Sequence, residues 1–178
     1  MRMTVTWFPA VITMALILIA AMRHGLIASN SVEQSPVDGL TAILYSTQAE
    51  WRKGDQLNLV FAIINSSAKP ILVDGRMSWP GNIDLWVKLP NGKTGLSRLE
   101  RVKMMRLTSD DVVKLRPDNL VGCKLSIGPK TPEDLIDSLK HPQPGSYQFW
   151  VKFYGASLPA ADCKSVSLRS NTVTVVVK

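Results

Sequence analysis

The sequence predicts an all-β protein: an antiparallel β-sandwich with one short helix, preceded by an N-terminal hydrophobic signal or anchor helix. Three observations carry this prediction. Short runs with an apolar residue at every second position recur through residues 40–178, and a period of two marks a half-buried strand, because successive side chains point to opposite faces. Turn sequences such as "WRKGD", "SWPGN" and "PNGK" separate the runs, at the spacing expected of a sandwich. A single stretch, "TPEDLIDSLK" at 131–140, interrupts the rhythm with helical chemistry.

The first predicted strand is "LTAILYST" at 40–47, followed by a turn at Trp51–Asp55. In "QLNLVFAIINSS" the inward face is Leu57, Leu59, Phe61 and Ile63. Pro70 opens "PILVDGRM", and its missing N–H suits the first residue of a strand. "IDLWVKL" places Ile83, Leu85, Val87 and Leu89 on one face, and Asn91-Gly92 in "PNGK" supplies the positive φ angles that hairpin turns prefer. "RVKMMRL", "DVVKL" and "NLVGCKLSI" are three more candidates. In the helical stretch Thr131 is placed to cap, Pro132 suits the first helical position, and Glu133 and Asp134 complement the helix dipole. Leu135, Ile136 and Leu139 are then expected to pack downward. The last strands are "GSYQFWVKFYG", with Tyr147, Phe149, Val151 and Phe153 inward, and "SNTVTVVVK", with Val173, Val175 and Val177 inward.

The N-terminus, "MRMTVTWFPAVITMALILIAAMRHG", has Arg2 and then an apolar run from Trp7 to Met22. Such a run fits the hydrophobic region of an export signal and is short for a membrane span, which needs about 20 residues. Residues 1–28 are therefore expected to be a signal peptide or membrane anchor, 29–39 a linker, and 40–178 the domain. The expected location is periplasmic or secreted, with attachment to the cytoplasmic membrane if the segment is not cleaved. In an oxidising compartment an even pair of cysteines can bridge, so a Cys123–Cys163 disulfide is expected. The alternative is two thiols, Cys123 buried and Cys163 exposed in the polar segment "LPAADCKSVSLRSN".

With 46% hydrophobic and 20% charged residues among 178, the composition is that of an ordinary globular protein. The net charge of +7 is local. Lys88, Lys93, Arg98, Arg101, Lys103 and Arg106 stand against Glu100 alone, and outside this stretch and the leader the charges balance. One basic patch, fitted to an anionic surface, is expected rather than a cationic nucleic-acid binder. The account that the pattern favours over such a surface is that Arg101 and Lys103 are the outward residues of an edge strand whose Val102 and Met104 point in, where Lys and Arg discourage pairing with other chains.

"QLNLVFAIINSSAKPILV", "PNGK", "PGSYQFWVKF" and "SNTVTVVV" together resemble bacterial extracytoplasmic immunoglobulin-like domains. The resemblance implies an immunoglobulin-like sandwich in which Tyr147 is the corner tyrosine whose hydroxyl returns to the backbone. It says nothing about a ligand. The early part, "LNLVFAIINSS" with "IDLWVKLPNGK", is also similar to the intracellular proteinase inhibitor family of bacilli, without a matched inhibitory residue.

Catalytic signals are absent from the sequence. His141, the one histidine after the leader, sits between Lys140 and Pro142 without a pattern that would orient it as a base. Zinc needs clustered His and Cys. "GRMSWPGN" lacks the Gly-Lys-Ser/Thr of a phosphate loop. Asp110 and Asp111 are adjacent, so on a strand they point to opposite faces, unlike a glycosidase pair. Glu133, Asp134 and Asp137 are explained by helix capping or by a metal, and capping is the simpler. No cofactor is expected.

One surface does suggest binding. Trp86, between Asp84 and Lys88, and Trp150, between Gln148 and Lys152, both point away from the core, with Tyr154 on the same face as Trp150. If adjacent, they form an aromatic surface suited to sugars or to a protein anchor. The alternative is that the helix or lysine stems cover them. The expected function is a non-enzymatic exported binding or assembly module of the bacterial envelope, its partner an envelope protein or glycan. A secreted proteinase inhibitor and a carbohydrate-binding accessory domain are the competing readings.

Overall fold

The computed structural model describes residues 29–30, 36–79, 81–97, 106–128 and 136–178. The proposed leader, and the calls on Arg98, Arg101, Lys103, Thr131–Leu135 and Glu133/Asp134, lie outside the described residues. Among the described residues strands dominate, in the order β1 (Ser29–Asn30), β2 (Leu40–Ser46), β3 (Glu50–Trp51), β4 (Leu57–Asn65), β5 (Ile71–Asp74), β6 (Ile83–Lys88), β7 (Thr94–Leu96), β8 (Val112–Leu115), β9 (Leu120–Ile127), α1 (Asp137–Lys140), β10 (Gly145–Gly155), β11 (Val166–Arg169) and β12 (Thr172–Val177). None of the helices among the described residues is long and apolar enough to cross a membrane.

The larger sheet runs β1-β12-β10-β6-β7, with β11 also on β10 and β3 on β12; a second runs β2-β4-β9, and β5 and β8 form a separate ribbon. The first two sheets face each other across one core. Leu57, Leu59, Phe61 and Ile63 of β4 and Phe149, Val151 and Phe153 of β10 are fully buried in it, and the Phe61 and Phe153 rings meet at 6.2 Å. These are the inward positions that the alternation predicts. Burial of such side chains stabilises by roughly 1.5–3 kcal/mol each. In the three-stranded sheet, β9 approaches β4 too closely for a side chain at Gly122, where a Cβ would lie 2.2 Å from the Phe61 carbonyl oxygen.

Several elements differ from the sequence expectation. Trp51, expected in a turn, is 1% exposed in β3; its indole N–H donates to the Asp55 carbonyl at 3.0 Å and its ring meets Tyr147 edge-on. Within the stretch expected to be helical, α1 begins at Asp137; Ile136 just before it is extended at φ −61° and ψ 143°, and its N–H donates to the Ser97 carbonyl. Leu139 still reaches the core. Asp110 and Asp111 lie in a 3-10 turn rather than on a strand, and the Asp111 carboxylate accepts the Thr108 N–H and hydroxyl. Arg106 and Leu107, the described end of "RVKMMRL", are not in a strand. In the β6–β7 hairpin only Gly92 has positive φ (+83°); Asn91 instead accepts the Lys93 N–H, so the loop is three residues closing on a glycine rather than a two-residue turn.

The polar segment before the last strand also holds β11. Between the pairs Phe149↔Val173 and Lys152↔Arg169, the β11–β12 side uses one more residue than β10, which is a β-bulge at Ser170-Asn171. Ser170 completes the ladder there: its N–H donates to the Val151 carbonyl, and its Oγ accepts the Val151 N–H at 2.9 Å. The bulge shifts the phase of the strand, so that Leu168 and Val173 both face the core although they are an odd number of residues apart.

Candidate functional site

The outward face of β6 and β10 carries the candidate site. Trp86 and Trp150 are directly opposite in the β6–β10 ladder, and their rings stack at 6.1 Å between centroids with 13° between planes. Directly opposite residues on one face are the closest cross-strand neighbours, so antiparallel pairing in this register is what turns two separate tryptophans into one pair. Both are half-buried.

Each ring carries a cation. The Lys152 ammonium lies 4.7 Å from the Trp86 ring centre, and the Arg169 guanidinium 5.3 Å from that of Trp150. Such contacts are worth about 0.5–1 kcal/mol at exposed sites. Arg169 is opposite Lys152 on β11. It reaches this face because of the bulge: in unbroken phase with Val173 and Val175 it would point into the core. Lys88 is exposed beside the pair, opposite Gln148, and Tyr154 is 43% exposed further along β10. Asp84, opposite Lys152, is only 8% exposed. The Trp86 indole N–H is buried with no acceptor among the described residues.

The sequence-predicted Trp86, Lys88, Trp150, Lys152 and Tyr154 are thus brought to one face, and Arg169 is the member that sequence reasoning misses. Its available signal is the alternation in "VSLR", with Val166 and Leu168 on one side and Arg169 on the other. Of the predicted basic patch, Lys93 is exposed in the β6–β7 turn and Arg106 is exposed at the start of a loop. Of the described part of the helix, Leu139 packs into the core and Ile136 lies against it.

The expected disulfide is not formed: Cys123 and Cys163 are free thiols. Cys123 faces the core from β9, opposite Phe61 of β4, and burial pushes its pKa up to about 11. Cys163 is 1% exposed, against the expectation of exposure, and its Sγ lies 3.7 Å from the Ala156 carbonyl oxygen. Burial, and then the Asp74 carboxylate, raise its pKa. Cys123 is thus held in β9, whereas Cys163 lies in the segment between β10 and β11, joined by a β-bridge to Leu158.

Asp74 is fully buried. Its carboxylate accepts from the Arg76 guanidinium at 2.8 and 2.5 Å, from the Arg76 N–H at 3.2 Å and from the Ala156 N–H at 3.2 Å. Burial is the largest influence and would raise its pKa, but these donors and the Arg76 charge together outweigh it and hold the pKa below the usual carboxylate range. The pair ties the end of β5 to the end of β10, which is a structural role. His141 is exposed just after α1, and among the described residues no cluster of His, Cys, Asp or Glu could hold a metal.

No protein-family model matches the chain, and no curated protein matches it. Among solved structures it is similar to the Pseudomonas fluorescens alkylpurine DNA glycosylase AlkC bound to DNA containing an abasic site analog, with 13% identity over 79% of this chain and 30% of that one, at a TM-score of 0.40. It is similar to Escherichia coli alpha-2-macroglobulin from domain MG7 to the C-terminus, with 16% identity over 78% of this chain and 16% of that one, at 0.42. It is also similar to the CARDB domain of the Pyrococcus furiosus PF1109 protein in complex with di-metal ions, with 11% identity over 78% of this chain and 87% of that one, at 0.37. The chain spans less than a third of the first two proteins. The likeness is one of β-rich architecture.

Proposed function

We propose that the chain is a non-enzymatic, exported binding or assembly module of the bacterial envelope, built on an immunoglobulin-like sandwich and binding through the outer face of β6 and β10. The observation that carries this is the stacked Trp86–Trp150 pair with Lys152 and Arg169 over its rings. Two large aromatics on the solvent side of a sheet add nothing to the core, and aromatics with arginine are the side chains that dominate binding surfaces. Strand order supports the sandwich type: β2-β4-β9 facing β12-β10-β6-β7 follows the order A-B-E against G-F-C-C′. So does Tyr147 at the start of β10, whose hydroxyl accepts the Gln143 N–H at 2.9 Å and donates to the Gln143 carbonyl at 3.1 Å.

The experiment is co-sedimentation of the full chain with isolated cell envelopes, comparing the natural sequence with Trp86→Ala/Trp150→Ala. Saturable retention that falls at least tenfold in the double variant is expected. Equal retention of both proteins overturns the reading.

A further inference from the structure

We infer that the Trp86–Trp150 face takes an acidic glycan, a polymer of carboxylate-bearing pyranoses, in preference to a neutral one. This rests on the binding role proposed for that face. An indole ring binds a pyranose by offering a flat apolar surface to the sugar's C–H face. Here those surfaces are already occupied, one by Lys152 and the other by Arg169. A sugar that stacks must first move a cation off the ring. A neutral sugar returns nothing to the displaced cation, which loses its ring contact. A uronate offers the displaced ammonium or guanidinium a carboxylate at the edge of the same stacked ring, and such charge-assisted hydrogen bonds are the stronger kind.

The surroundings carry the same sign. Exposed Lys88 extends the positive strip along β6, opposite Gln148. Asp84, the acidic residue on the same face, is only 8% exposed. Aromatic rings with cations arranged along a strip fit a repeating polymer that alternates stacking faces and carboxylates. An acidic polypeptide would satisfy the cations but has no rigid C–H face for the rings.

The test is affinity electrophoresis and titration calorimetry of the full chain against polygalacturonate, with dextran as the neutral glycan and polyglutamate as the acid without sugar. Expected is binding to polygalacturonate at least tenfold tighter than to either of the others. Lys152→Gln/Arg169→Gln, both on the outer face, is expected to lose about tenfold and to remove the preference over dextran, whereas Arg169→Lys keeps the preference. Equal binding of dextran overturns the charge requirement. Equal binding of polyglutamate overturns the sugar requirement in favour of an acidic protein, and no binding of polygalacturonate overturns the inference outright. If that happens while envelope retention still depends on Trp86 and Trp150, the binding role stands and only the ligand class falls; retention independent of the tryptophans removes the role itself.

Discussion

The side chain of Asn171 acts as a strand partner for the backbone of Leu44. Its Oδ1 accepts the Leu44 N–H at 2.7 Å, and its Nδ2 donates to the Leu44 carbonyl at 2.9 Å. Leu44 is in β2, an edge strand of the smaller sheet, and Asn171 is at the bulge in the larger one. An open edge is a template for unwanted pairing, and here one amide from the facing sheet closes it at its middle. The bulge aims that amide, because the extra residue leaves the ladder of its own sheet.

Asn171→Ala is expected to destabilise by about 1–3 kcal/mol, since two edge groups lose their partner. Asn171→Asp is expected to cost more, because a carboxylate oxygen would face the Leu44 carbonyl. Urea denaturation measures both. Hydrogen exchange provides the local check: the Leu44 amide loses protection in the variants, while amides in β10 keep theirs.

Asp74→Asn is expected to destabilise by about 3–5 kcal/mol, the usual consequence of removing one partner of a buried ion pair. The pH dependence has a definite sign. The folded chain holds the Asp74 pKa below its ordinary value, so the unfolded chain takes up this proton first as pH falls below about 4. The contribution is complete above that point and is lost on the way down to the folded pKa. Urea midpoints at pH 6 and pH 3 are expected to converge between the natural protein and Asp74→Asn; a constant difference would show that the carboxylate charge is not what stabilises.

Trp86→Phe is expected to be neutral or to stabilise by up to about 1 kcal/mol, because it keeps an aromatic ring and removes a buried N–H that has no acceptor. Trp86→Ala is expected to destabilise, since Trp150 and Lys152 both lose their contact. A Trp86→Phe variant that unfolds at clearly lower urea would indicate an acceptor for that N–H.

With both cysteines free and their thiol pKa values raised, native protein at pH 8 is expected to react with iodoacetamide far more slowly than an unfolded cysteine, because the thiolate is the nucleophile. Denaturation without reductant is expected to add two labels, read by intact mass. A denatured, unreduced protein that takes up none would contain the bridge.

Much of the fold is legible because alternation is a local property. The inward sets Leu57–Leu59–Phe61–Ile63 and Phe149–Val151–Phe153 are read directly from the chain and are buried as expected. The burial of Trp51 is not legible, because a strand of two residues has no period to detect. β11 is hidden for a different reason: Val166 and Leu168 are out of phase with Val173, Val175 and Val177, and the bulge that reconciles them leaves no mark except a Ser-Asn pair that also reads as a turn.

Sequence alone determined which residues the longer strands β4, β6, β10 and β12 bury, and that Trp86 and Trp150 point away from the core, because facing follows from the two-residue repeat of a single strand. Only the tertiary structure decided that the two tryptophans stand opposite one another and that Arg169 caps the second. It also decided that Asn171 closes the edge at Leu44. Each of these depends on which distant strands become neighbours and in what register, and a one-residue shift exchanges the faces of a strand without changing its composition.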